Sequence, residues 1–210
     1  MAQIAYNVTL RNEKPKYIVI HTTGNTGKGA NAKAHFSYWN RGEVGASADF
    51  VVDDKEALQI NDYNKYYTWH CGDGKGKYGI TNSNSIGIEI CVNSDGNFEK
   101  AIANTVALVR KLKKETGITK VVRHYDASRK NCPAELSKNN WEGWEKFLAK
   151  VNEEEVAPVS ELTEVNDIVW ELAHRGIVTD KELWLSKLRD DTAAYWLARK
   201  CVNYMMEKNV

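Results

Sequence analysis

The sequence has no surplus of charge. Its 29 Lys and Arg side chains nearly cancel its 28 Asp and Glu side chains, and no long block of either sign occurs. Electrostatic capture of nucleic acid is therefore not expected. A run of eighteen apolar residues is also missing, so membrane insertion is not expected. The opening stretch, MAQIAYNVTLRNEKPKYIVIH, lacks a basic segment followed by an apolar one and a small-residue cleavage site. That argues against a classical export signal, and the expected location is the cytoplasm of the producing cell. The four cysteines, Cys71, Cys91, Cys132 and Cys201, are widely scattered. In such a chain they do not suggest a disulfide framework; free thiols or a metal ligand are the expectation. Internal repeats and low-complexity tracts are absent.

What remains is a chain of 210 residues, 42% hydrophobic, enough for one domain of ordinary size and a small second module. KYIVIHTTGNTG reads as a short strand, Tyr17 to Ile20, buried on both faces, with His21 at its exit. Residues 32–40 suit a short helix, and GASADFVVDDKEALQI suits a hairpin turning near Asp54 and Lys55. The glycine-rich segment 66–84, which holds Trp69, His70 and Cys71, reads as a long loop. SIGIEICV (85–92) is again a core strand. Its single charge, Glu89, points opposite to Ile88 and Ile90 because faces alternate along a strand.

Apolar residues at Ile102, Val106, Val109 and Leu112 predict a helix capped by Asn97 and Gly117. TKVVRH adds a strand, and Trp141, Trp144, Phe147, Leu148 and Val151 mark a further amphipathic helix. Strands alternating with helices predict an α/β domain over residues 1–151. The acidic, proline-containing stretch 152–161 reads as a linker. Beyond it the pattern is helical at about 162–174, 180–189 and 191–208, giving a small all-α C-terminal module over 162–210.

One stretch carries unusual chemistry. VVRHYDASRKNCP (121–133) brings His124, Asp126, Lys130 and Cys132 within nine residues. Taken singly, His21 and His124 suit satisfied structural histidines, and Cys132 suits a buried thiol. Together, two His and one Cys at strand ends can converge at one sheet edge. Three ligands with a fourth position left to water is the catalytic zinc pattern. On spacing alone, the structural and metal-binding readings both stand.

The segments YIVIHTTGN, SIGIEIC and RHYDASRKNCP resemble the signature segments of the zinc-dependent N-acetylmuramoyl-L-alanine amidases. The chain is most similar to phage endolysins and bacterial autolysins of the type 2 family, which shares its fold with peptidoglycan-recognition proteins. The resemblance covers about residues 14–150 and implies a central mixed sheet flanked by helices. It puts the family's zinc ligands on His21, His124 and Cys132, its lysine on Lys130 and the acidic residue of the endolysin branch on Glu89. Another branch carries a catalytic tyrosine beside a histidine on the strand read here as SADFVVD. This chain has Ala48 and Asp49 there, so that role would pass to Glu89. Zinc lowers the pKa of water to about 7 and polarises a carbonyl. Glu89 could move the proton, and Lys130 could stabilise an oxyanion. His70 and His35 are candidate substrate-binding residues. Asp126 is a candidate partner for a ligand histidine, with turn formation as its simpler role.

The implied substrate is peptidoglycan, cut between N-acetylmuramic acid and L-alanine, as by a phage endolysin acting on the wall after release. A bacterial autolysin or a non-catalytic peptidoglycan-binding protein are the alternatives. For the helical module, wall binding comes first and self-association, giving a homo-oligomer, second. Its Trp184, Tyr195 and Trp196 look exposed, whereas His174 and Cys201 look like packing residues.

Overall fold

The computed structural model describes residues 3–153 and 165–208. The chain divides into two compact units, Met1–Glu153 and Glu154–Val210. From residue 154 the expected linker lies outside the described residues, as does 162–164 of the first expected module helix.

The first unit runs β1 (Val8–Leu10), β2 (Tyr17–Thr22), α1 (Ala32–Trp39), β3 (Phe50–Val52), β4 (Ala57–Gln59), β5 (Tyr66–Thr68), β6 (Ser85–Ile90), α2 (Phe98–Thr116), β7 (Lys120–Arg123), α3 (His124–Ser128) and α4 (Lys138–Asn152). Five strands form one mixed sheet in the order β4-β3-β6-β2-β7. Within it β2 pairs in parallel with both β6 and β7, β6 pairs in parallel with β3, and β4 closes the antiparallel hairpin. The fold is thus an α/β sheet flanked by helices, followed by a small helical unit.

Alternation of side chains decides which face does what. Ile18, Ile20, Ile86, Ile88 and Ile90 join Phe50 and Val52 on one face, packed against Val106, Val109 and Leu112 of α2 and Trp144 and Phe147 of α4. The opposite face carries Val19, His21, Gly87, Glu89 and Val51. There Val51 packs with Ala32 and Trp39 of α1, while Val19 packs with Cys71, Ile80 and Ala127. The long helix α2 has the ends its sequence announced: Asn97 accepts the Lys100 N–H, and Gly117 closes it at φ 73°.

Two stretches differ from the expectation, the loop at 66–84 and the end of the strand TKVVRH. Part of 66–84 is β5, which pairs antiparallel with β1, and Gly72–Gly74 forms a single 3-10 turn. The His124 segment begins α3 directly after β7. Both elements are too short for periodicity to reveal.

The second unit has α5 (Val165–His174), α6 (Lys181–Asp190) and α7 (Thr192–Lys208). Ile168, Val169, Leu172, Val178, Leu188 and Val202 form its core. The aromatic residues are arranged differently from the expectation. Trp184 and Tyr195 pack against that core, and of the three named only Trp196 is exposed. Large exposed side chains are instead Trp170, Ile177, Leu183, Leu197 and Tyr204, besides Trp196. His174 and Cys201 do not pack inside: His174 stacks on Trp170 at the surface, and Cys201 is exposed. Among the described residues no helix is long and apolar enough to cross a membrane.

A buried carboxylate joins the pieces of the first unit. Asp49 accepts hydrogen bonds from Asn61 Nδ2 at 2.6 Å, Thr68 Oγ1 at 3.0 Å and the Gly87 N–H at 2.7 Å. Its burial pushes the carboxyl up to about 6 against those three donors. Asp49→Ala would strand all three, so we expect a loss of about 2–4 kcal/mol in urea unfolding. A loss within the ordinary surface range of about 0.5 kcal/mol would contradict this clamp.

Candidate metal centre and its groove

Because β2, β6 and β7 run parallel, their carboxyl ends meet at one sheet edge, the usual place for a site in such sheets. His21 is the fifth of six residues in β2 and lies directly across from Glu89 of β6. His124 leaves β7 as the first residue of α3. Cys132 follows in the next turn, where its carbonyl accepts the Tyr125 N–H at 3.0 Å and ties the turn back to α3.

These three side chains converge. His21, His124 and Cys132 are only 1%, 3% and 7% exposed, and their ligand atoms all lie within 4.8 Å of one another. The two Nδ1 atoms are 3.1 Å apart, and Cys132 Sγ is 3.8 Å from His21 Nδ1. Burial lowers the pKa of both imidazoles, which keeps them neutral with a lone pair to donate. Burial likewise pushes the Cys132 thiol up to about 12, so ligation would have to displace its proton. Two neutral imidazoles and a thiol, buried together, are a donor set compatible with a metal site.

His124 has a support that sequence reasoning missed. Its Nε2 is 2.7 Å from Asp73 Oδ1, and Ser128 Oγ donates to the other Asp73 oxygen at 3.1 Å. The loop can approach this closely because residue 74 is glycine: a Cβ there would lie 2.0 Å from the Ala127 carbonyl oxygen. Asp126 does not take this part. Its carboxylate receives the Arg123 N–H at 2.9 Å and the Arg123 guanidinium at 2.7 and 3.0 Å, so it forms the turn instead.

Glu89 stands beside the cluster, with Oε1 4.0 Å from His21 Nδ1 and the side chain 17% exposed. Its Oε2 is buried and has no hydrogen-bond partner within the described residues. Burial pushes the carboxyl up to about 8, against the pull of the Lys130 charge. Lys130 is exposed and lines the same cavity of about 270 Å³, together with Thr23, Trp69, His70 and the three clustered residues. A neighbouring cavity of about 330 Å³ shares Glu89, Thr23 and Trp39 and adds His35 and Tyr38. His35 is therefore one cavity away from the cluster, its Nδ1 held by the Asn31 carbonyl at 2.9 Å. His70 borders the first cavity, but its ring nitrogens face His21 and Ser85. A larger hollow of about 890 Å³ beside Arg11, Glu13, Tyr63 and Glu115 contains none of these groups.

The family model described as N-acetylmuramoyl-L-alanine amidase matches residues 11–135, the span that supplies every group of the cluster and its groove. The chain belongs to the N-acetylmuramoyl-L-alanine amidase family. Among curated members, it is 41% identical over 149 residues to the amidase CwlH of Bacillus subtilis (strain 168), covering 69% of this chain and 56% of CwlH. It is 42% identical over 139 residues to XlyA of the same organism, covering 65% and 44%. The chain thus spans about half the length of these relatives. The catalytic domain of XlyA superposes with a TM-score of 0.62 at 40% identity, covering 70% of this chain and 94% of that domain. PlyL superposes at 0.59 with 31% identity, covering 72% and 96%. Both neighbours share the mixed sheet and its flanking helices.

Proposed function

We propose that the chain hydrolyses the amide bond between N-acetylmuramic acid and L-alanine in bacterial peptidoglycan, with zinc held by His21, His124 and Cys132. The observation that carries this reading is the convergence of three buried donors beside a carboxyl group with an unpartnered oxygen, inside the span matched by the amidase family. When bound, the ion supplies Lewis acidity, lowering the pKa of water and polarising an amide carbonyl.

The remaining work falls to the protein. Glu89 takes a proton from the attacking water and returns it to the departing nitrogen; a carboxyl raised to about 8 can hold a proton near neutral pH as well as accept one. Lys130, at the cavity mouth, offsets the negative charge that develops on the carbonyl oxygen. Asp73 holds His124 in the orientation that presents Nδ1. His35, in the adjoining cavity, contacts the glycan or the peptide stem.

An endolysin role is supported by a solved mutant endolysin from Bacillus subtilis, 40% identical and superposing at 0.62. An autolysin would use the same chemistry. A non-catalytic wall binder has no need of a buried thiol beside Glu89. The helical unit, with Trp170, Trp196, Leu197 and Tyr204 exposed, adds wall affinity or self-association and takes no part in the reaction.

Purified protein acting on cell walls should release new amino termini without new reducing sugars. A chelator should stop the release and added zinc restore it. Release of reducing sugars instead would identify a different bond.

Cys132→Ser should lower bound zinc from one ion per chain to a small fraction of that by metal analysis. Full zinc content in this variant would remove Cys132 from the ligand set.

Glu89→Gln should keep zinc and the fold yet lose about a hundredfold in rate. Near-normal turnover would mean that another group moves the proton.

A chain ending at Glu153 should cleave soluble muropeptide at close to the full-length rate but bind intact walls less well or form smaller oligomers. Lost turnover of the soluble substrate, with the first unit still folded, would show that the helical unit helps build the site.

A further inference from the structure

An imidazole that gives Nδ1 to a metal carries its remaining proton on Nε2, and that N–H needs an acceptor. For His21 the acceptor is a second imidazole. Its Nε2 lies 3.0 Å from His70 Nδ1, with the two rings perpendicular and their centroids 5.1 Å apart. Accepting at Nδ1 obliges a neutral His70 to carry its own proton on Nε2, which is 3.1 Å from Ser85 Oγ. The Ser85 hydroxyl then donates to the Thr81 carbonyl. A carbonyl has no proton to give, so every bond in the row has its direction set from that end.

The surroundings hold this row in place. His70 and Ser85 are 9% and 0% exposed, which leaves them dependent on protein partners. The N–H groups of His70 and Cys71 both donate to Asn82 Oδ1, at 3.1 and 2.7 Å, so the backbone under the ring is pinned. On β6 the ring lies over Gly87, where a Cβ would come within 2.5 Å of His70 Cγ. The strand supplies Ser85 as a partner and, two residues on, an empty position for the ring.

We infer that His70, backed by Ser85 and the Thr81 carbonyl, is a positioning residue that fixes His21 as its Nε2–H tautomer and so delivers Nδ1 to the metal. This role rests on the zinc reading above. It differs from the support of His124, where a carboxylate does the same work. A neutral imidazole orients His21 without adding negative charge to the cluster. It also explains why both His70 nitrogens turn inward, leaving at most the ring edge for substrate.

The test uses the full-length chain with histidine labelled in its ring nitrogens. Long-range proton–nitrogen correlation on metal-free protein reads each tautomer, and only five histidines need assignment. Zinc affinity is measured in parallel by competition with a chromophoric chelator. The wild-type chain should have His21 as the Nε2–H form. In His70→Leu this preference should disappear and zinc affinity should fall about ten- to a hundredfold. His70→Asn, whose Oδ1 can replace Nδ1 as acceptor, should recover most of both. Ser85→Ala should give a smaller loss in the same direction.

A folded His70→Leu chain with unchanged tautomer and affinity would overturn the inference. So would equal losses in the Leu and Asn variants, which would trace the effect to packing alone. If His70→Leu does not fold, Ser85→Ala decides, and unchanged readouts there would overturn the relay. A wild-type chain that takes up no zinc would overturn the metal reading as well, and is recognised before any variant is compared.

Discussion

Everything at the site depends on β2 lying in register between two parallel neighbours. His21 faces Glu89 because Tyr17 pairs with Ser85 and the count is kept for six residues. A slip of one residue would turn His21 into the apolar layer and an isoleucine toward the cavity. The isoleucines prevent that slip. Ile18, Ile20, Ile86, Ile88 and Ile90 are fully buried on the α2 and α4 side, and exposing any one of them would cost about 1.5–3 kcal/mol. The geometry of the chemical face is therefore held by hydrophobic burial on the face that does no chemistry.

The chemical face carries a burden the other lacks. His21, His70, His124, Asp49 and Ser85 are all buried polar groups, and each needs a partner to offset its desolvation. Asp49 finds three donors, His124 finds Asp73, and His21 finds His70. The partners come mainly from 68–85, the segment that closes over the sheet edge. Among the described residues Glu89 Oε2 and Thr23 Oγ1 are exceptions, and both side chains border the two cavities where a substrate would lie.

Much of this was legible in the sequence where a residue's role follows from near neighbours. The strands of the five-stranded sheet were visible as apolar runs or a hairpin, whereas β1 and β5 were not, and Glu89 could be assigned to the face opposite Ile88 and Ile90 by alternation alone. The short run from His124 to Cys132 suggested two members of the cluster, and His21 stood at a strand exit. The supports were not legible. Asp73 lies 51 residues from His124 and meets it only after the loop folds back. Asp126 looked better because it is close in sequence, yet two positions along α3 its carboxylate turns to Arg123. In the helical unit, apolar periodicity located the helices but did not separate packed Trp184 and Tyr195 from exposed Trp196.

The distribution of thiols has a practical consequence for handling the protein. Cys71, Cys91 and Cys132 are buried, and burial pushes each up to about 12, so little reactive thiolate is present at neutral pH. Cys201 is the exposed thiol, on α7 of the second unit. Air oxidation and alkylating reagents will therefore meet the tail first. A dye or surface linker carried by Cys201 would mark each molecule once, on the helical unit.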